Sequence, residues 1–382
     1  SFFFVFTYFE FKKNFFLQIA FKYSYINFLI LILSLYAFNR YSEYGNDAQS
    51  HFYYFFFIIL LFKYLLVKKN TDVIKELFFL SLFIFFTKPT FIIILLIPFV
   101  LFFNLKKKEK FLKSISFIFY SFFFIIWIGK NFLTTGCLIY PLDFTCNNNL
   151  SWSATNLNQN ATVNEAWSKG WPDQKQTRIL NKSEFIKNFN WVETWSKNHF
   201  LFILEKILPV LIFFIINFLI FYFNKSLKKN EYNKDFIYLF IFSFFFIILW
   251  FIKFPVYRLG ISQIYIFIIL CFYLIYINHL NFIKLPLILK YSNFFIIFVI
   301  AIILSKNFNR IYNNRLNPLM PNVYYTDEQN KDIQKIYNNT NIFTHYRPLN
   351  GNLCGYSKSP CTHIDRNFLV KEFLGYKIYT IN

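Results

Sequence analysis

Residues 91–113 read FIIILLIPFVLFFNLKKKEKFLK, an apolar run from Phe91 to Phe103 followed at once by Lys106, Lys107, Lys108, Lys110 and Lys113. The same pairing recurs along the chain. Lys12-Lys13, Lys68-Lys69 and Lys225 with Lys228-Lys229 fall in every second gap between stretches rich in Phe and Ile. A helix in hydrocarbon needs a long apolar surface, and loops on the cytoplasmic side of a membrane accumulate Lys and Arg. The pattern predicts an all-α polytopic membrane protein whose basic gaps are cytoplasmic and whose other gaps face outward.

Composition supports the lipid bilayer as the surrounding medium. Of 382 residues, 56% are hydrophobic and 25% aromatic, with 60 Phe against 8 Gly. A soluble core rarely hides that much aromatic surface, whereas lipid-facing positions need apolar area. The excess of Phe, Ile, Asn and Lys also matches drift in an AT-rich genome, so a single phenylalanine carries little meaning. The formal charge of +21 is of a size that can serve nucleic acid. Here the basic runs obey topology instead, and no nucleic-acid partner is expected. No secretory leader is legible, because no basic segment and small-residue cleavage site bracket an apolar run.

Walking outward from the quoted stretch gives the spans. They are about Tyr25–Phe38, Phe52–Val67, Val73–Phe86, Phe91–Phe103, Ile115–Ile128, Phe200–Phe223, Phe236–Ile252, Leu259–Ile277 and Tyr291–Leu304. Ser1–Phe9 reads as the end of a further, N-terminally truncated span, so about nine to ten transmembrane helices are expected. Several runs are shorter than a perpendicular helix needs, and Thr87-Lys88-Pro89-Thr90 is a hinge where proline ends a helix and biases its predecessor toward extended geometry, with a broken or re-entrant helix as one option. The organisation follows: transmembrane helices over 1–128, an extracytoplasmic loop over 129–199, further transmembrane helices over 200–304, and an extracytoplasmic tail over 305–382 forming a small cap. Lys306, Arg310 and Arg315 are the exception to the charge rule.

Four of five cysteines fall in the outward segments: Cys137 and Cys146 in the long loop, Cys354 and Cys361 in the tail. Disulfides persist outside the cytoplasm. Local closure, Cys137 with Cys146 and Cys354 with Cys361, is preferred among the three connectivities that four cysteines allow. A zinc site is the competing reading, but the spacing is wrong for a knuckle and nearby histidines are only His345 and His363. Cys271 reads as an apolar residue within a span.

The long loop holds five of the seven tryptophans, among them Trp191 and Trp195. Ser183–Lys197 reads as an amphipathic helix capped by Ser183 and anchored at headgroup depth, with aromatic platforms for a glycan or lipid as the sharper reading. In the tail, Thr326–Tyr337 reads as a helix.

Chemistry concentrates in three outward elements: Glu43 to Asp47 with His51, Lys88-Pro89-Thr90, and Pro255-Val256-Tyr257-Arg258. An acid at the membrane edge can act as a general base or hold a metal, and Lys and Arg there can hold a phosphate. The bland reading is that loops carry polar residues and Arg258 only reaches back to the interface. No Walker lysine loop, nucleophile elbow, zincin helix or paired-cysteine motif competes. Charges within spans, such as Lys63, Lys75, Glu76, Glu205 and Lys206, lie toward span ends, which counts against a coupled transporter.

At these residues a resemblance enters. Thr135-Gly136-Cys137-Leu138-Ile139-Tyr140-Pro141 resembles an outer-loop motif of large bacterial membrane proteins associated with surface polysaccharide synthesis. Trp250–Gly260, WFIKFPVYRLG, resembles their Trp–Pro–Arg–Gly turn, and Cys354–His363 a C-terminal cysteine-bounded segment. These proteins, largely uncharacterised, are similar to the GT-C superfamily of integral-membrane glycosyltransferases, which draw sugars from polyprenyl-phosphate donors. The resemblance covers about Tyr41 to the C-terminus and implies a bacterial plasma-membrane protein of cell-envelope assembly. By the superfamily pattern Asp47 is the first candidate for the catalytic acid and Glu43 the second, although the two are not the adjacent pair many members show.

The expected function is a membrane glycosyltransferase using a polyprenyl-phosphate-linked sugar, with Asp47 activating the acceptor and Lys88 and Arg258 binding the donor phosphate. A polysaccharide polymerase or ligase is the alternative, and a non-enzymatic lipid-glycan transporter or assembly protein the third reading. No metal ligand set is assigned, and the cofactor is left open, with a divalent metal at the acid as one option.

Overall fold

The structure is a computed structural model that describes residues 7–9, 21–37, 47–67, 69–105, 108–147, 149–150, 153–154, 157–173, 180–223, 234–275, 292–313, 333–338, 343–348, 368–373 and 376–381. Thirteen α-helices lie among them: α1 Phe21–Ala37, α2 Asp47–Leu66, α3 Thr71–Thr87, α4 Leu96–Phe103, α5 Lys108–Leu112, α6 Ile115–Thr135, α7 Leu157–Ser168, α8 Lys182–Ile186, α9 Val192–Trp195, α10 Leu201–Phe223, α11 Lys234–Lys253, α12 Tyr257–Ile275 and α13 Ser292–Asn313. Each expected span has a helix over it. Among the described residues, five stretches are long and apolar enough to cross a membrane: Asp47–Leu66, Ile115–Thr135, Val192–Leu219, Lys234–Lys253 and Tyr257–Ile275. Lys22–Ala37, Pro89–Phe103 and Ile296–Asn309 are apolar but shorter.

Two compact units divide the chain: Ser1–Lys130 with Asn156–Phe308, and Asn131–Thr155 with Asn309–Asn382. In the first, α1, α2 and α12 pack against one another, with α3 against α2 and α11 against α12. Stacked rings tie α2, α11 and α12 together, Phe236 lying 4.0 Å from Tyr273 and 5.4 Å from Phe62. One polar pair inside this bundle is joined where water is scarce: the Tyr25 hydroxyl donates to Asn217 at 3.1 Å. Helix α6 is the opposite case. No residue of it is buried, and Ile118, Phe122 and Ile125 stand open at 59%, 57% and 66% exposure. Such a face is unfavourable in water and suits hydrocarbon.

The hinge forms as expected. Helix α3, capped by Asn70, whose side chain accepts from the Asp72 amide at 3.1 Å, stops at Thr87. Lys88 is extended, and Pro89 opens a 3₁₀ helix, Pro89–Leu95, that runs on into α4. Proline at that position gives up only an N–H that has no helical partner anyway.

The loop corrects the expected amphipathic helix over Ser183–Lys197. Its first piece, α8, is capped by Asn181, which accepts from the Glu184 amide at 2.9 Å, while Ser183 instead donates to Asn181. The segment then kinks, with positive φ at Asn188 (49°) and Phe189 (58°), before α9 and a π turn at Ser196–Phe200. Trp191 and Trp195 are covered by protein, 1% and 8% exposed, and pack on Phe251 at 5.3 and 5.0 Å.

In the second unit, Cys137 and Cys146 form a disulfide across a small loop. The Leu138 amide donates to the Thr145 carbonyl and the Asn147 amide to the Gly136 carbonyl. Gly136 has φ +73°, and a Cβ there would lie 2.8 Å from Ser153, so the glycine of the TGCLIYP stretch is required by backbone and space alike. The tail departs from an all-α expectation. Ile333–Asn338 (β1) pairs antiparallel with Phe343–Pro348 (β2), and Phe368–Phe373 (β3) with Tyr376–Ile381 (β4). The helix expected over Thr326–Tyr337 is therefore a strand from Ile333 onward, its Ile336 and Tyr337 matched across the ladder by His345 and Thr344. Pairing with a partner strand outweighs local helix propensity here. Cys354 and Cys361 lie outside the described residues, as does Glu43.

Candidate functional site

Asp47 and Arg258 were expected in loops, yet both sit in the first turn of a helix, Asp47 opening α2 and Arg258 second in α12. The helices simply begin earlier than hydropathy indicates, because a polar first turn lies outside the apolar window. An acid at a helix start is favoured by the positive end of the helix dipole. The Ser50 hydroxyl steadies that turn by donating to the Asp47 carbonyl at 2.8 Å.

The structure brings the three candidates together. Lys88 Nζ lies 2.6 Å from Asp47 Oδ1, and Arg258 Nε 3.6 Å from Asp47 Oδ2. Their side chains differ in exposure: Lys88 10%, Asp47 39%, Arg258 76%. Burial pulls the Lys88 ammonium below the ordinary lysine value, the hydrogen bond and charge of Asp47 pull it back up, and Arg258 lowers it again. Two cations, one carboxylate and the starts of α2 and α12 leave a net positive corner suited to an anion such as phosphate. The exposed Arg258–Asp47 pair at 3.6 Å is the weaker of the two.

His51 lies one turn beyond Asp47 and Ser262 one turn beyond Arg258. They meet, His51 Nδ1 at 2.6 Å from Ser262 Oγ and Nε2 at 2.8 Å from the Arg258 carbonyl. A carbonyl only accepts, so Nε2 carries a proton. The ring is fully buried against Phe91, at 5.6 Å. Ser262 went unnoticed in the sequence; its signal was the matching four-residue spacing of Asp47 to His51 and Arg258 to Ser262, visible only once both helix starts are placed.

A mostly apolar cavity of about 220 Å³ lies alongside, lined by Thr90, Ile93, Phe246, Trp250, Leu259 and Gln263 among others. A second ionic cluster was not foreseen. Lys169, 2% exposed, lies 2.6 Å from Glu165 and over the Trp191 ring at 4.5 Å, and Lys253 reaches Glu165 at 3.2 Å. Burial lowers the Lys169 ammonium from its ordinary value. With no open face on Lys169, this cluster fastens α7 to the end of α11. Among the described residues no group of three or more His, Cys, Asp or Glu is placed to hold a metal ion.

No curated protein and no solved structure matches the chain. Residues 1–265, more than half of the 382, match the model of a family described as a domain of unknown function (DUF8201), and the chain belongs to that family.

Proposed function

We propose that the chain is a GT-C-like membrane glycosyltransferase that uses a polyprenyl-phosphate-linked sugar in cell-surface polysaccharide or lipid-linked glycan assembly. Its place is the bacterial plasma membrane, with the long loop and the tail on the extracytoplasmic side. The observation that carries this reading is Asp47 held between Lys88 and Arg258 at 2.6 and 3.6 Å.

The chemistry follows from that arrangement. An arriving donor phosphate draws Lys88 and Arg258 away from the carboxylate, which frees Asp47 to accept the proton of the acceptor hydroxyl. The acceptor oxygen bonds to the anomeric carbon, the bond from that carbon to the phosphate oxygen breaks, and the phosphate departs with the electron pair. Lys88 and Arg258 stabilise the charge that builds on it.

The polymerase or ligase reading has one observation in its favour: Arg258, at 76% exposure, is the most accessible of the three side chains. A transporter would need charge deep among the helices. The buried polar groups within the apolar helices, among the described residues, are neutral ones such as Ser24, Asn27, Asn217 and Ser243.

Mass spectrometry of lipid-linked glycans in cells that depend on the protein tests the proposal, comparing wild type, a deletion and Asp47→Asn. A glycan one sugar short in the deletion, reproduced by Asp47→Asn at normal protein level, supports the transferase. A complete but unpolymerised or stranded glycan, with Asp47→Asn behaving as wild type, replaces it with polymerase or transporter.

A further inference from the structure

The Pro255–Arg258 turn is held by an arrangement of its own. The carbonyl of Pro255 accepts from Trp195 Nε1 at 2.6 Å, that of Val256 from Trp250 Nε1 at 3.1 Å, and that of Arg258 from His51 Nε2 at 2.8 Å. Three aromatic N–H groups, from α9, α11 and α2, thus converge on four consecutive residues. An indole N–H can only donate and a carbonyl only accept, so each bond has one sense. Backbone bonds supply the rest, the Val256 amide donating to the Phe254 carbonyl at 2.7 Å and the Leu259 amide to Val256 at 3.0 Å.

Packing closes the turn from the other side. A Cβ on Gly260 would lie 2.4 Å from Trp250 Cε2 and 2.5 Å from its Nε1, so the indole rests directly on the Gly260 backbone. The Arg258 backbone is therefore gripped while its side chain stays open. A residue bound loosely to its acid but anchored at its backbone is arranged to present a guanidinium in one place.

We propose that Trp195, Trp250 and His51 are positioning residues that set where Arg258 is presented, and that His51 also sets the Asp47 to Arg258 separation. His51 is suited to the second task because it shares a helix with Asp47 and hydrogen-bonds to Ser262 and to the Arg258 carbonyl in the first turns of α12. The proposal rests on the reading of Asp47, Lys88 and Arg258 as an anion site.

Two measurements on the full-length protein in detergent test it. The first reads geometry alone: cross-linking of the Asp47→Cys/Arg258→Cys double variant by a short bismaleimide. Adding Trp195→Phe, Trp250→Phe or His51→Leu slows the cross-link severalfold, and His51→Gln, which restores a donor, recovers part of the rate. The second reads affinity for inorganic diphosphate. Trp195→Phe weakens it roughly three- to tenfold, as loss of one buried hydrogen bond implies, but adds nothing in an Arg258→Gln background, because its effect runs through Arg258. An unchanged cross-linking rate in all three variants overturns the proposal, and so does a Trp195→Phe effect that persists at full size without Arg258. Slowed cross-linking in a protein that binds no diphosphate leaves the positioning role standing and overturns the anion site instead.

Discussion

Lys88 is the residue on which the corner's electrostatics turn. Its ammonium is lowered by burial and raised by Asp47. The unfolded chain therefore holds that proton more tightly than the native one over the interval between the two values. Across that window native stability rises with pH, and the penalty for a charged, buried Lys88 is complete below it. Anion binding runs the other way, since it needs the charged form and is lost as pH rises through the native value. Asp47→Asn removes the partner that raises Lys88, so the alkaline limb of diphosphate binding moves to lower pH. At pH 7 the same variant keeps or gains diphosphate affinity, because the competing carboxylate is gone, while sugar transfer is lost. Titration calorimetry across pH, beside a transfer assay, reads both; an unmoved limb refutes the assignment of Lys88 to the anion. Lys88→Gln is expected to weaken diphosphate about ten- to a hundredfold, the equivalent of one charge-assisted hydrogen bond.

Among the elements, the turn between α11 and α12 depends most on a single small residue. Gly260→Ala places a methyl 2.4 Å from Trp250. The indole cannot yield without breaking its bond to Val256, so a loss of about 1–3 kcal/mol is expected, typical of overpacking. A thermal unfolding series in detergent reads it, and an unchanged midpoint refutes the packing. The disulfide loop has its counterpart in Gly136, where φ of +73° and a 2.8 Å approach to Ser153 exclude a side chain. Gly136→Ala is expected to leave a larger fraction of Cys137 and Cys146 open to alkylation without prior reduction. Equal protection in variant and parent counts against that account. These elements also explain sequence features that spacing alone leaves opaque: the glycines of TGCLIYP and WFIKFPVYRLG are the points where backbone meets another group.

At the scale of the molecule, the contrast among the described residues is between helices enclosed by protein and α6, which is open along its length apart from ring contacts with α3 such as Phe86 with Trp127 at 5.0 Å. The stretches Asp47–Leu66 and Tyr257–Ile275 are 61% buried, whereas Ile115–Thr135 is 0% buried at similar hydropathy. If hydrocarbon covers α6, Ile125→Arg raises its insertion cost by about 3–4 kcal/mol, while a lysine at exposed Asn147 costs little. Carbonate extraction and protease protection of the expressed variants check this, and equal membrane retention of Ile125→Arg and wild type argues against a lipid-facing α6.

Hydropathy and short-range chemistry determined where the helices lie, because a 15- to 20-residue apolar run leaves few other folds open and its signal is local. The hinge at Pro89 and the Cys137–Cys146 pairing were legible for the same reason: proline geometry and two cysteines nine positions apart need no distant partner. The candidates Asp47, Lys88 and Arg258 were legible as residue types in gaps, though not as neighbours. Only the tertiary structure decided that α2 and α12 begin side by side, so that His51 meets Ser262 across 211 residues. It likewise decided that Trp191 and Trp195 are buried and that the tail from Ile333 is a strand. Each of those outcomes depends on what a residue packs against, and packing partners far apart in the chain leave no periodic trace in it.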